Sequence, residues 1–91
     1  MLKIDFDMIV FSEADAYVAY CPELDVSSCG DTVDEAREHL KTAVRLFIEE
    51  AEKMGTLDQV LQEAGYVPDG KGGYLPPRLI ATETTTVAIG D

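Results

Sequence analysis

Thr32 and Glu35, set directly behind Gly30-Asp31 and directly ahead of a long amphipathic run, constrain this chain more than any other feature. The pair is a capping box: a threonine hydroxyl accepts from the amide three residues on, while the glutamate carboxylate reaches back to the cap amide. Asp31, Asp34 and Glu35 also lie at the positive end of the helix dipole. A helix therefore starts at Thr32, and whatever precedes it must end at Gly30. Beyond the cap, Val33, Ala36, Leu40, Ala43, Val44, Phe47, Ala51 and Met54 recur at spacings of three and four, forming one stripe that covers a sheet. Ile48 falls on the margin of that stripe. Leu46 sits roughly 120° from Leu40 and has two open readings, an isolated exposed apolar residue or a subunit contact. Gly55 supplies the stop.

The residues ahead of the helix read as strands folded back on one another. Residues 17–21, YVAYC, are a short apolar run that Pro22 ends by lacking the donor a central ladder needs. Glu23-Leu24-Asp25 is a connection of hairpin length, and residues 26–29 return as a strand. Residues 2–12 form the first strand, with Ile4, Phe6, Met8 and Val10 on one face and Lys3, Asp5 and Asp7 on the other. Ile9 and Phe11 break that alternation, so the strand's far end is apolar on both faces. Glu13-Ala14-Asp15 turns it antiparallel to residues 17–21. The outer face of that pair, with Ile9, Phe11 and residues of the strand at 17–21, then needs a cover that another subunit can supply.

After Gly55, Thr56 caps a short helix through Leu57, Val60, Leu61 and Ala64, with Gly65 as its stop. Residues 69–73, DGKGG, and Pro76-Pro77 are turn formers, with Tyr74-Leu75 between them as a single bridge or a plug. The glycines lack a following Lys-Ser/Thr at a helix start, so they make a flexible turn and not a phosphate loop. Residues 79–89, rich in Thr, Val and Ile, read as a last strand. The expected fold is α+β: one domain over residues 1–91, a three-stranded antiparallel sheet with a long helix on one face, a short second helix and a C-terminal strand. Residues 2–54 form its core and residues 56–90 the short helix, loop and final strand.

Charge narrows the function. Eighteen acids against seven bases give −11, which repels polyphosphate and removes the counterion release that drives nucleic-acid binding. A basic protein partner fits instead, beside the plainer reading of a solvated surface. A chain this short buries only about 60–65 % of its unfolded surface, and one helix roofs one sheet face, so a homo-oligomer, dimer or tetramer, is expected. No apolar run approaches the ~20 residues of a membrane span, and the acidic start is unlike a signal peptide. The expectation is a cytoplasmic protein with no membrane contact. The spacing of Cys21 and Cys29 permits a disulfide, but in a reducing compartment both read as small buried hydrophobes. Two Cys and His39 are too few soft ligands for a metal site, and His39 lies on the helix's polar side, where solvation is the default. No catalytic, cofactor-binding or metal-binding residue is expected.

Tyr17-Val18-Ala19, Pro22-Glu23-Leu24, Gly30-Asp31-Thr32 and Glu35-Ala36 together resemble the signature of the HicB-like antitoxin family, approximately Y-V-A, P-[ED]-L-P-G-C, then G-D-T-x-x-E-A. The resemblance covers residues 2–54. Asp25-Val26-Ser27 stands where many members have Pro-Gly-Cys, and Ala14-Asp15-Ala16 replaces a glycine-bearing turn. The family implies a truncated ribonuclease-H-like fold and a non-enzymatic antitoxin that occludes the active site of a small basic HicA-type ribonuclease toxin. Nothing after Ala64 resembles the DNA-binding module of members that repress their own operon. An orphan homo-oligomer without a toxin is the alternative. The fold likeness also raises a metal-dependent nuclease built on Asp5, Asp7, Glu13, Asp31, Asp34 and Glu35. Asp31 and Glu35 already serve the helix start, however, and Asp5 and Asp7 read as the wet side of a strand.

Overall fold

The computed structural model describes residues 2–90. They run as β1 (Ile9–Glu13), β2 (Ala16–Cys21), β3 (Val26–Gly30), α1 (Val33–Lys53), α2 (Leu57–Glu63), β4 (Val67–Pro68) and β5 (Tyr74–Leu75). The first three strands pair antiparallel in chain order and the last two form a separate pair. The α+β architecture expected from the sequence is the one observed. A two-residue turn, Ala14-Asp15, joins β1 to β2 in the register Glu13 to Ala16. Ala14 carries a φ of 53° there without being glycine, a left-handed position that costs an L-residue about 1–2 kcal/mol.

The joint between β3 and α1 explains its own sequence. Thr32 is extended (φ −131°, ψ 163°) and its hydroxyl accepts from the Glu35 amide at 3.0 Å. The Glu35 carboxylate accepts from the Asp31 amide at 2.9 Å, one residue earlier than the reciprocal bond of a capping box. A Cβ on Gly30 would lie 2.6 Å from the Ala36 nitrogen and 2.7 Å from the Glu35 Cβ, so strand and helix meet too closely for any side chain. Ala36 is fully buried at that crossing.

α1 packs chiefly on β3 and β2 and only lightly on β1. Its contact row is correspondingly narrow: Ala36, Leu40, Val44 and Ala51 are buried and Ile48 packs on the core, while Phe47 and Met54 are 38 % and 66 % exposed. The stripe thus turns toward Ile48 and away from Val33, Phe47 and Met54. Thr56 also departs from expectation. Its hydroxyl donates to the Ala51 carbonyl at 3.3 Å, closing the end of α1, and α2 has no side-chain cap.

The first strand begins at Ile9, not at residue 2, because β2 ends at Cys21 and leaves the preceding residues without a ladder neighbour. The period-two pattern nevertheless holds, with Ile4, Phe6, Met8 and Val10 against the core. Two long-range bonds replace the ladder. The Asp7 amide donates to both Glu23 carboxylate oxygens, at 3.0 and 3.2 Å. The Tyr66 hydroxyl donates to the Asp5 carbonyl at 2.6 Å. Tyr66 is 2 % exposed and belongs to the core with Ala19, Cys21, Leu24, Leu40 and Leu61, so the core extends well past residue 54. The C-terminal strand pair is β4 with β5, and residues 79–89 form no ladder within the chain.

Candidate interaction face

Register divides the sheet's residues between two faces. Ala19 and Cys21 are fully buried under α1, so their neighbours Val18 and Tyr20 point to the opposite side. Pairing then aligns Ile9, Tyr20 and Ser27 in one cross-strand row and Phe11, Val18 and Cys29 in the next. None of the six is buried, and Phe11 is 51 % exposed. The Tyr20 hydroxyl donates to Asp25 at 3.0 Å, which lifts the phenol above its ordinary range, first through that bond. Residues 9–31 hold Glu13, Asp15, Glu23, Asp25 and Asp31 and no Lys or Arg, and of these acids Glu23 turns its carboxylate to the Asp7 amide and the buried Cys21 thiol. Glu13, Asp15 and Asp31 lie at one end of the strands, and Glu23 and Asp25 at the other.

Ile9 and Phe11 therefore come together on one patch with Val18 and Tyr20. Leu46, 57 % exposed, lies on α1 in the layer behind, so the three contacts expected from sequence do not share a surface. The other residues of the Tyr17–Ala36 motifs, Val18 apart, have local structural tasks. Tyr17 packs on the core opposite Gly30, Pro22 follows the last residue of β2, Glu23 tethers residues 2–8, and Leu24 is buried. Gly30, Asp31, Thr32, Glu35 and Ala36 make the strand-to-helix joint.

The two cysteines are free and differ. Cys21 is buried opposite Val26 and its thiol donates to Glu23 at 3.5 Å. Burial, with Glu23 adding to it, pushes that thiol up to about 11. Cys29 is exposed on the outer face opposite Val18, contrary to the expectation of two buried hydrophobes. His39 is not simply solvated either: its Nδ1 lies 2.6 Å from the Cys29 carbonyl, and since a carbonyl only accepts, Nδ1 carries the proton. Among the described residues no three His, Cys, Asp or Glu side chains converge to hold a metal ion. No helix of the described residues is long and apolar enough to cross a membrane. Comparison with family models, with curated proteins and with solved structures finds no match.

Burial on the inner face was readable from period-two spacing. The outer patch was readable only in part, because Val18 and Tyr20 join Ile9 and Phe11 through register, which spacing along one strand does not reveal. Tyr66 had no periodic signal at all.

Proposed function

We propose that this chain is a non-enzymatic protein-binding module of HicB-like type, a cytoplasmic antitoxin that occludes a small basic HicA-type ribonuclease. The observation that carries this reading is the outer sheet face, an apolar centre of Ile9, Phe11, Val18 and Tyr20 with Glu13, Asp15, Asp31 and Asp25 at the strand ends and no base between residues 9 and 31. A desolvated apolar centre with a charged rim is how protein interfaces are built. A chain of −11 steers a basic partner toward it and keeps RNA away. The Tyr-Val-Ala, Pro-Glu-Leu and Gly-Asp-Thr-x-x-Glu-Ala signature supports the family, and the protein contributes occlusion and no chemistry of its own. Self-association without a toxin is the second reading, favoured by the same half-open apolar face.

The test is binding and RNA cleavage with the basic protein encoded by the adjacent reading frame. A stoichiometric complex that weakens as salt rises, blocks cleavage and loses at least tenfold in affinity with Phe11→Asp is expected. Absence of any complex sinks the toxin reading. Divalent-metal-dependent RNA cleavage by this chain alone, lost in Asp5→Asn and Asp7→Asn, replaces it with a nuclease.

A further inference from the structure

Residues 79–89 have the composition of a strand but form none within the chain. Leu79, Ile80, Val87 and Ile89 are 48, 82, 75 and 93 % exposed, and the segment's one charge is Glu83. Its effect shows in the size of the molecule: the radius of gyration is 15.6 Å, against about 12 Å for a compact chain of this length. The root is fixed. Gly65 approaches Pro77 so closely that a Cβ there would touch the ring at 3.5 Å, and Pro22, Glu23 and Ala64 flank Pro77 and Leu79. Beyond that root the chain projects as an arm. A β-branched, nearly uncharged segment left in the open pairs with whatever edge it meets, so it needs a seat.

A candidate seat is the free edge of this same sheet, along which residues 79–89 form no ladder within the chain. β1 is an edge strand, and residues 4–8, which carry no ladder, lead into it past the end of β2, held by packing of Ile4, Phe6 and Met8 on the core and by the bonds at Asp7 and Asp5. The β3 edge is less open, since His39 takes the Cys29 carbonyl. Beside residues 2–6 runs a groove of about 570 Å³ with an apolar floor of Leu2, Ile4, Phe6, Val44 and Ile48 and a charged wall of Lys41, Arg45, Glu49 and Glu52 from α1, where α1 barely reaches β1. In an extended chain Leu79, Ala81, Val87 and Ile89 share one face with Glu83 and Thr85, so that face is apolar at both ends and polar at its middle. Eleven residues at ~3.3 Å each span about 36 Å, and the free edge from residue 4 to Glu13 is of similar length.

We infer that the arm is exchanged between two copies of this chain: each adds residues 79–89 as a strand along the partner's free β1 edge and lays its apolar side chains in the partner's groove. A second copy is the occupant because two-fold exchange seats both arms and closes both edges at once. The near-neutral arm is also a segment that approaches an acidic body of charge −11 with little like-charge repulsion. The outer sheet face stays free in such a dimer. This inference rests on self-association as the second reading but not on the outer face, and it is independent of any toxin.

Light scattering on the full chain at micromolar concentration, with amide exchange over residues 79–89, tests it. Thr85→Pro removes a ladder donor midway along an exposed segment and leaves the protomer's core untouched. The expected result is a dimer with protected arm amides that becomes at least a hundredfold weaker with Thr85→Pro, at unchanged helical circular dichroism. A dimer indifferent to Thr85→Pro overturns the arm but keeps self-association. A monomer overturns both, and a monomer with protected arm amides shows the arm folded on its own edge. Protection that appears only with a basic protein partner assigns the arm to that partner and also overturns the exchange.

Discussion

The two faces of the β1–β2–β3 sheet are built from alternate residues of the same strands, yet only one of them carries the fold. The inner face is roofed by α1, and it is tied at its far end by Tyr66 to Asp5 and by Glu23 to Asp7. The outer face has exposed Phe11 and Cys29 and half-buried Ile9, Val18 and Tyr20, with no layer over them. Stability is thus concentrated in one layer, and the other can be spent on recognition without loosening the protomer. Tyr17, Leu24, Gly30 and Ala36 serve the first face and Val18 the second.

The largest effect expected on this contrast comes from Tyr66. Tyr66→Ala removes the largest buried side chain and orphans the Asp5 carbonyl, and should cost about 3–5 kcal/mol. In a domain of this size that lowers Tm by roughly 10 °C or more. Tyr66→Phe keeps the ring and loses only the bond, about 1 kcal/mol. A thermally unchanged Tyr66→Ala protein would mean that the C-terminal third is not part of one core, and the distinction between faces would fail. Next is Gly30→Ala. Its Cβ meets backbone at 2.6 Å, so strand and helix must separate, at a cost of about 1–3 kcal/mol read as a lowered urea midpoint.

The start of α1 was legible in the sequence because its cap and its dipole both act within one turn, whereas the close approach at Gly30 depends on how strand and helix cross and was seen only in the structure. The alternation of Ile4, Phe6, Met8 and Val10 was legible because it too is local. What was not legible depends on distance. The first strand was read too long because its hydrophobic alternation says nothing about where β2 stops offering partners. The stripe on α1 was centred on Phe47 when geometry favours Ile48, because helical periodicity does not reveal how far the helix lies toward β3. Residues 79–89 have strand composition, and composition cannot name the edge they need. The outer patch follows the same rule, since Val18 and Tyr20 join it only through register.

Alkaline pH probes the inner face with a smaller perturbation. Cys21 has an ordinary thiol value near 9 that burial, assisted by Glu23, pushes up to about 11. The folded chain then holds a proton that the unfolded chain releases. Below pH 9 both states are protonated and nothing changes. Between pH 9 and 11 stability should fall by up to roughly 1.4 kcal/mol per pH unit. Tyr66, raised above its ordinary value chiefly by burial, adds to the slope only beyond the normal tyrosine range near 10. Urea unfolding at a series of pH values should therefore show a decline between pH 9 and 10 that Cys21→Ala abolishes. An unchanged slope in that variant would place the titration elsewhere.

The smallest effect on protomer stability is expected at Phe11, and it is the sharpest test of the comparison. Its ring is 51 % exposed and its cross-strand neighbour is Val18, a pair whose contribution is no more than about 1 kcal/mol. Phe11→Ser should shift the urea midpoint of the dilute chain far less than Tyr66→Ala, although both remove an aromatic ring. The same change should weaken association with a basic partner at least tenfold, because a half-exposed ring in the middle of a docking patch becomes fully buried only in the complex. If Phe11→Ser instead unfolds the protomer as readily as Tyr66→Ala, the outer face is part of the fold's own stability, and an aromatic residue there has no need of a partner to explain it.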